Sequence, residues 1–244
     1  MRISLDFELN DERIYKDKNK ILASWIKHYM GKYDENMYFS LYNSGSVEKD
    51  YTFSVYMGQD VVFEREMIYV PTKKMRLHFS CYDLQEGIHF YNIFTRAIGE
   101  KYKYKDIHLV AKRMNVEREK VFKNEEAYFK TSSPIIVREH ISRDNSKTYY
   151  HDISTEKGIE VLLMNLKSRL KKKFGEKIKY DIDCIQIDIL KNRMVTVRHN
   201  SINIPSNLCT IKISTKPYIL DYIYKSGIIS SFNASGYGML LSVS

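Results

Sequence analysis

The chain has 244 residues, 43% hydrophobic and 28% charged, which suits one large or two small packed domains and excludes a disordered chain. With only 10 Gly and 4 Pro it is neither collagen-like nor a long linker, and no run of 18 apolar residues suggests a transmembrane helix or a membrane partner. The formal net charge of +9 is uneven: residues 1–122 carry 20 basic and 18 acidic side chains, residues 123–244 carry 19 and 12. A basic C-terminal half points to a polyanion, RNA or DNA first. The same richness in Lys, Ile, Asn and Tyr also arises from genome composition alone. Cys81, Cys184 and Cys209 are odd in number and form no CxxC, which disfavours a disulfide scaffold or zinc ribbon and suits a reducing cytoplasm. The seven histidines show no HxH, HExxH or HxxxH spacing, so neither a metal nor another cofactor is expected.

The first nine residues lack a signal-peptide core and alternate as a strand, with Ile3, Leu5, Phe7 and Leu9 on one side. Asn19 is positioned to cap a helix over residues 20–30. Its apolar stripe is Ile21, Leu22, Trp25, Ile26 and Tyr29; Lys27 lies opposite and His28 on the flank. Residues 31–50 read as a polar link with at most a short helix. Strands over 51–57, 67–70 and 76–81, a helix over 85–98 and a strand over 104–112 complete a β-α-β-β-α-β order, which is ferredoxin-like.

The second half repeats that theme loosely, without a sequence repeat. Extended segments over 128–137 are broken at Pro134, and a short strand follows at 148–151. The helix over 155–174 has Ile159, Leu162, Leu163, Leu166 and Leu170 at core spacing. Strands are expected over 180–190, 194–198, 209–214 and 239–243, and no element is assigned between the last two. Lys171, Lys172 and Lys173, at the C-terminus of the long helix, read as a solvated face complementing its dipole.

Three stretches carry more information. They are Phe129-Lys130-Thr131-Ser132-Ser133-Pro134-Ile135-Ile136-Val137, the Gly-rich segment from Gly227 through Gly236-Tyr237-Gly238 to Val243, and the first helix with its polar link and Lys49-Asp50-Tyr51-Thr52-Phe53-Ser54. In this order and at this length the chain resembles the CRISPR-associated endoribonucleases of the RAMP superfamily, which cut repeat RNA. The resemblance implies an α+β chain of two tandem ferredoxin-like (βαββαβ, RRM-like) domains with a basic cleft between them. Residues 1–122 would hold the catalytic region, and residues 123–244 the Gly-rich loop and RNA binding. It further implies metal-independent cleavage of CRISPR repeat RNA to guide crRNA. The 2′-hydroxyl would attack the adjacent phosphate, leaving a 2′,3′-cyclic phosphate and a 5′-hydroxyl. Other CRISPR effector subunits, or a second copy in a homodimer, are further partners compatible with this family.

Such a reaction needs a base for the 2′-hydroxyl, an acid for the leaving 5′-oxygen and a cation for the phosphorane. The family places a Tyr or His late in the first helix, a His after it and often a Lys before the Tyr-Thr strand. Lys49 fits the last position, and the late-helix position falls at Lys27 or His28. The intervening His position falls near Tyr42 and Asn43, where no His stands. Three readings stay open: His28 serves as acid or base, Tyr42 and Lys49 work in a slower His-free site, or the protein binds RNA and cuts poorly.

For RNA contact the candidates are Ser230, Ser231, Asn233 and Ser235 in the Gly-rich segment, where backbone N–H groups can cradle phosphate, and Phe232 or Tyr237 as a stacking ring. Lys27, Arg138, Arg193, Arg198, His199 and Lys225 are the charged candidates. Two other functions compete with the nuclease: a non-catalytic crRNA-binding subunit of an effector complex, and a protein-interaction domain basic only by composition. The Gly-rich segment favours the two RNA readings.

Overall fold

The computed structural model describes residues 1–43, 47–140, 147–229 and 232–243. In the first half, β1 (Arg2–Leu9) and β2 (Arg13–Tyr15) precede α1 (Lys18–Tyr33) and α2 (Glu35–Tyr42). Then come β3 (Tyr51–Tyr56), β4 (Val62–Phe63), β5 (Met67–Tyr69), β6 (Lys74–Cys81), α3 (Leu84–Ala97), β7 (Lys101–Tyr104) and β8 (Ile107–Val116). The second half has β9 (Glu126–Thr131), β10 (Val137–His140), β11 (Thr148–His151), α4 (Glu156–Phe174), α5 (Lys179–Asp183), β12 (Gln186–His199), β13 (Ile202–Ser214), α6 (Pro217–Ser226) and β14 (Leu240–Val243). Among the described residues no helix is long and apolar enough to cross a membrane.

The two main sheets have one plan. The first runs β3-β6-β1-β8, with β7 added at the edge, and the second runs β12-β13-β9-β14. In each, the opening strand sits inside, between the third and the last strands of the ferredoxin-like order, and every pairing is antiparallel. The fold is therefore α+β with two tandem ferredoxin-like units. Each has its own core: residues from Ile3 to Ala111 form one buried cluster, and residues from Ala127 to Leu240 form the other.

Local chemistry explains the elements. The alternation in β1 buries Ile3, Leu5, Phe7 and Leu9, with the Phe7 ring 5.0 Å from that of Trp25 in α1. Asp83 accepts a bond from the Glu86 N–H, and Thr155 one from the Gly158 N–H, capping α3 and α4. Asn19 is not a cap. The helix starts at Lys18, and the buried Asn19 side chain donates to the Gly236 carbonyl at 2.9 Å. The expected strand over 180–190 is half right, because residues 179–183 form α5 and the strand begins at Gln186. From there β12 and β13 make one long hairpin, its turn at Asn200 (φ +48°) and Ser201 (φ +68°), the positive-φ pair that a tight hairpin requires.

The unassigned stretch contains α6, opened by Pro217 and ended by Gly227 at φ +87°. Its Ile219, Leu220 and Ile223 are buried against the second core. The Tyr- and Ile-rich composition hides it, since such residues are as common in strands as in helices.

Candidate nucleic-acid interface and reaction site

The Gly-rich segment is packed between the halves. Thr52 Oγ1 donates to the Tyr237 carbonyl at 2.9 Å, and the Ser54 and Ser132 hydroxyls meet at 2.7 Å. Gly236 lies on the Phe53 ring, where a Cβ would come within 2.3 Å of Cε2. Gly238 lies on Ile229, where a Cβ would come within 2.6 Å of Cγ1. Both have positive φ, so glycine is required twice over, for backbone conformation and for close approach. From the other side the buried Arg2 in β1 donates to the Leu240 carbonyl at 3.1 Å, and its guanidinium stands 4.2 Å over the Tyr224 ring.

Beside this seam lies an open cavity of about 620 Å³ that draws on both halves. Lys27 from α1, Tyr42 from α2 and Lys49 from the approach to β3 line one side; Arg169 and Lys172 from α4 and Ser235 from the Gly-rich segment line the other. The Lys27 ammonium sits 4.4 Å from the centre of the Tyr42 ring and that of Lys49 sits 4.7 Å from it. Two cations over one ring are held by its quadrupole despite their mutual repulsion. Partial burial, and then the charge of Lys27, push the Lys49 ammonium below the ordinary lysine range. Burial raises the Tyr42 phenol to about 12, so it stays protonated, and its hydroxyl is hydrogen-bonded to that of the buried Tyr51. Glu48 is the carboxylate lining this cavity, and desolvation raises its pKa. Positive charge dominates, as an anionic ligand requires.

His28 is not part of this group. It is exposed on the adjacent face of α1, its ring 4.9 Å from that of Tyr29 and 5.3 Å from that of Tyr102. One residue of helical register decides between Lys27 and His28, and the fold turns Lys27 toward Tyr42. No histidine lines the cavity among the described residues.

A second cavity, about 300 Å³, opens between the halves near the β12–β13 hairpin, lined in part by Lys16, Lys18, Phe63, Arg193 and Arg198. Arg193 is exposed and makes no ion pair among the described residues, whereas Arg198 is paired with Glu66 at 2.8 Å. The remaining candidates have structural neighbours. Phe232 is 6% exposed, with the Arg138 guanidinium 4.8 Å over its ring and His199 packed on it at 5.3 Å. Asn233 is buried and donates to the Ser226 carbonyl. These two side chains hold the Gly-rich segment in place instead of projecting from it. Lys225 is bound by Glu119 and Asp221 at a different edge of the molecule, in a cavity that none of the other candidates line. Ser230 and Ser231 lie outside the described residues.

Arg169 is the residue that charge reading of the sequence misses. It looks like one cation among many near a helix end, yet it is 1% exposed. The signal was its spacing: Leu162, Leu166 and Arg169 follow one another at helical intervals on the buried face of α4. Lys172 and Lys173 also depart from the solvated-face expectation, one lining the cavity and the other paired with Asp50.

Two tandem ferredoxin-like units, with the described parts of a Gly-rich segment packed between them and a cation-lined cavity at the seam, define the tandem ferredoxin-like class of RAMP-type proteins. The family model described as CRISPR associated protein Cas6, C-terminal, matches residues 117–241, over half of the chain, and the protein belongs to this Cas6 family. The product of a Cas6-related gene from Pyrococcus furiosus has a similar structure, with a TM-score of 0.85 at 19% identity over 100% of this chain and 98% of that one. A RAMP protein binding different RNA substrates gives 0.84 at 18% identity, with both chains covered in full. A CRISPR associated protein Cas6 gives 0.76 at 23% identity, over 100% of this chain and 99% of that one. At these identities the likeness is one of fold. No curated protein sequence matches the chain.

Proposed function

We propose that this protein binds CRISPR repeat RNA across the seam between its two halves and cuts it within the repeat, without a metal, at the Lys27–Tyr42–Lys49 cavity. The observation that carries the proposal is the convergence of two ammonium groups on one tyrosine ring, one of them with a depressed pKa. Lys49 in its neutral form takes the proton from the 2′-hydroxyl. The 2′-oxygen attacks phosphorus, and the bond from phosphorus to the 5′-oxygen breaks. The Lys27 ammonium stabilises the phosphorane charge and supplies the proton to the leaving 5′-oxygen. The products are a 2′,3′-cyclic phosphate and a 5′-hydroxyl, with the two lysines having exchanged one proton overall. Tyr42 orients both amines through its ring, and Arg193 and Arg198 extend the basic track along the RNA backbone. Lys49→Ala and Lys27→Ala should each slow single-turnover cleavage at saturating RNA while binding persists. Undiminished rates in both variants would remove the assignment.

That no histidine among the described residues lines the cavity favours a second reading, a crRNA-binding subunit that holds RNA and does not cut it. Tight repeat binding by the wild-type protein with no product would decide for it.

A further inference from the structure

We propose that Arg169, Asp50 and Tyr222 form a buried clamp by which the second half of the molecule positions Lys49, so that the reaction site is complete only when the two halves are docked. The inference rests on the nuclease reading above for the role of Lys49, and on geometry for the clamp.

Arg169 reaches out of α4 into the seam and gathers backbone carbonyls from both sides. Its Nη1 donates to the carbonyls of Gly227 at 2.7 Å and Ile229 at 2.8 Å, at the root of the Gly-rich segment. Its Nη2 faces the Ser226 carbonyl at 3.4 Å and the Lys49 carbonyl at 3.5 Å. The two carboxylates flanking Lys49 turn toward the same guanidinium: Asp50 Oδ1 lies 3.5 Å from Nη2, and Glu48 Oε1 lies 3.9 Å from Nε. Asp50 is itself held from the second half, accepting a 2.6 Å bond from the Tyr222 hydroxyl and pairing with the Lys173 ammonium.

Arg169, Tyr222 and Asp50 are all buried, so the Arg169 Nη atoms, the Tyr222 hydroxyl and the Asp50 carboxylate depend on these partners, while Arg169 Nε has Glu48 only as a charge neighbour at 3.9 Å. The backbone at residue 49 is thus held at its own carbonyl and at the neighbouring Asp50 by groups that belong to the other half of the chain, with Glu48 in longer-range charge contact. A surface lysine needs no such support. A lysine that must keep its amine over the Tyr42 ring, beside Lys27, does, because its mobile four-carbon stem would otherwise carry the charge into water. The charged and titratable groups facing Lys49 are Lys27 from α1, Tyr42 from α2, Glu48 beside it in the chain, and Arg169 and Lys172 from α4.

The test reads Lys49 directly. Acylation of the full-length protein with acetic anhydride, followed by peptide mass spectrometry from about pH 7 to about pH 11, gives the titration midpoint of the Lys49 amine. The wild type should react with a midpoint below the ordinary lysine value. In Arg169→Lys, which keeps the charge and loses the fork, the midpoint should rise to that value. Tyr222→Phe, nearly isosteric, should shift it the same way by a smaller amount and serves if Arg169→Lys does not fold. Single-turnover cleavage should fall at least about tenfold in Arg169→Lys with RNA affinity unchanged within about twofold, and in a Lys49→Arg background Arg169→Lys should cost nothing further. An unchanged Lys49 midpoint in a folded clamp variant overturns the proposal. So does undiminished cleavage in a variant whose Lys49 has been released. A wild type with the shifted midpoint but no cleavage would overturn the nuclease reading and leave the clamp standing.

Discussion

The Tyr42 ring is the meeting point of the site, and its two substitutions separate ring from hydroxyl. Tyr42→Phe keeps the ring beside which both ammonium groups rest and should retain most of the single-turnover rate, whereas Tyr42→Ala removes it and should slow cleavage by about tenfold or more. Lys49 carries a pH prediction. Its depressed pKa means that the neutral amine appears at lower pH than for a surface lysine. The rate should rise with pH along a limb whose midpoint lies below about 10.4, the ordinary lysine value. Lys49→Arg keeps the charge and cannot lose the proton, so the limb should vanish and the rate fall by about 10²-fold or more. Because His28 rests on Tyr29 and Tyr102 outside the cavity, His28→Ala should leave the rate nearly unchanged. At this scale the sequence was only partly legible. Lys49 and Tyr42 follow from the family pattern, but the choice of Lys27 over His28 depends on one residue of register, and Arg169 passes for a surface charge until its partners are visible.

The Gly-rich segment and α6 were legible to different degrees. The segment between Gly227 and Gly238 reads as an RNA-contacting loop; in the fold two of its glycines, Gly236 and Gly238, pack closely against Phe53 and Ile229. Gly236→Ala would force a methyl group into the Phe53 ring at φ +83° and should destabilise the protein by about 2–4 kcal/mol in equilibrium denaturation. A change within about 0.5 kcal/mol would show that the ring yields easily. Helix α6 escaped because its Tyr-Ile-Leu-Asp-Tyr-Ile-Tyr pattern fits two periods, with Pro217 at its start and Gly227 at its end as the cues that decide. Alternation marks the main strands of the first half, although β3 is buried on both faces from Tyr51 to Ser54 and the single strand expected over 104–112 is the end of β7 and the start of β8. The β12–β13 hairpin was split into pieces because its exposed stretch from Leu190 to Thr196 carries little alternation into a core.

On the scale of the molecule, the excess of positive charge lies in the second half, which carries Arg193 and Lys172, but the seam uses charge from both halves. We propose a division near 122/123, in the link between β8 and β9, where Phe122 already packs on Phe129 and Tyr224 of the second core. If RNA runs along the β12–β13 hairpin, Arg193→Ala should weaken binding and reduce the slope of log affinity against log salt by about 0.7, one single-strand phosphate contact, without changing the rate of cleavage once RNA is bound. The measurement that tests the central claim most directly is cleavage of the cognate repeat RNA in excess EDTA, alongside RNAs carrying a single 2′-deoxy substitution at each position in turn. A single cut that persists in EDTA, leaves a 2′,3′-cyclic phosphate and is lost with one particular 2′-deoxy is the expected result. Tight binding with no cut, or a cut that survives every 2′-deoxy substitution, would contradict it.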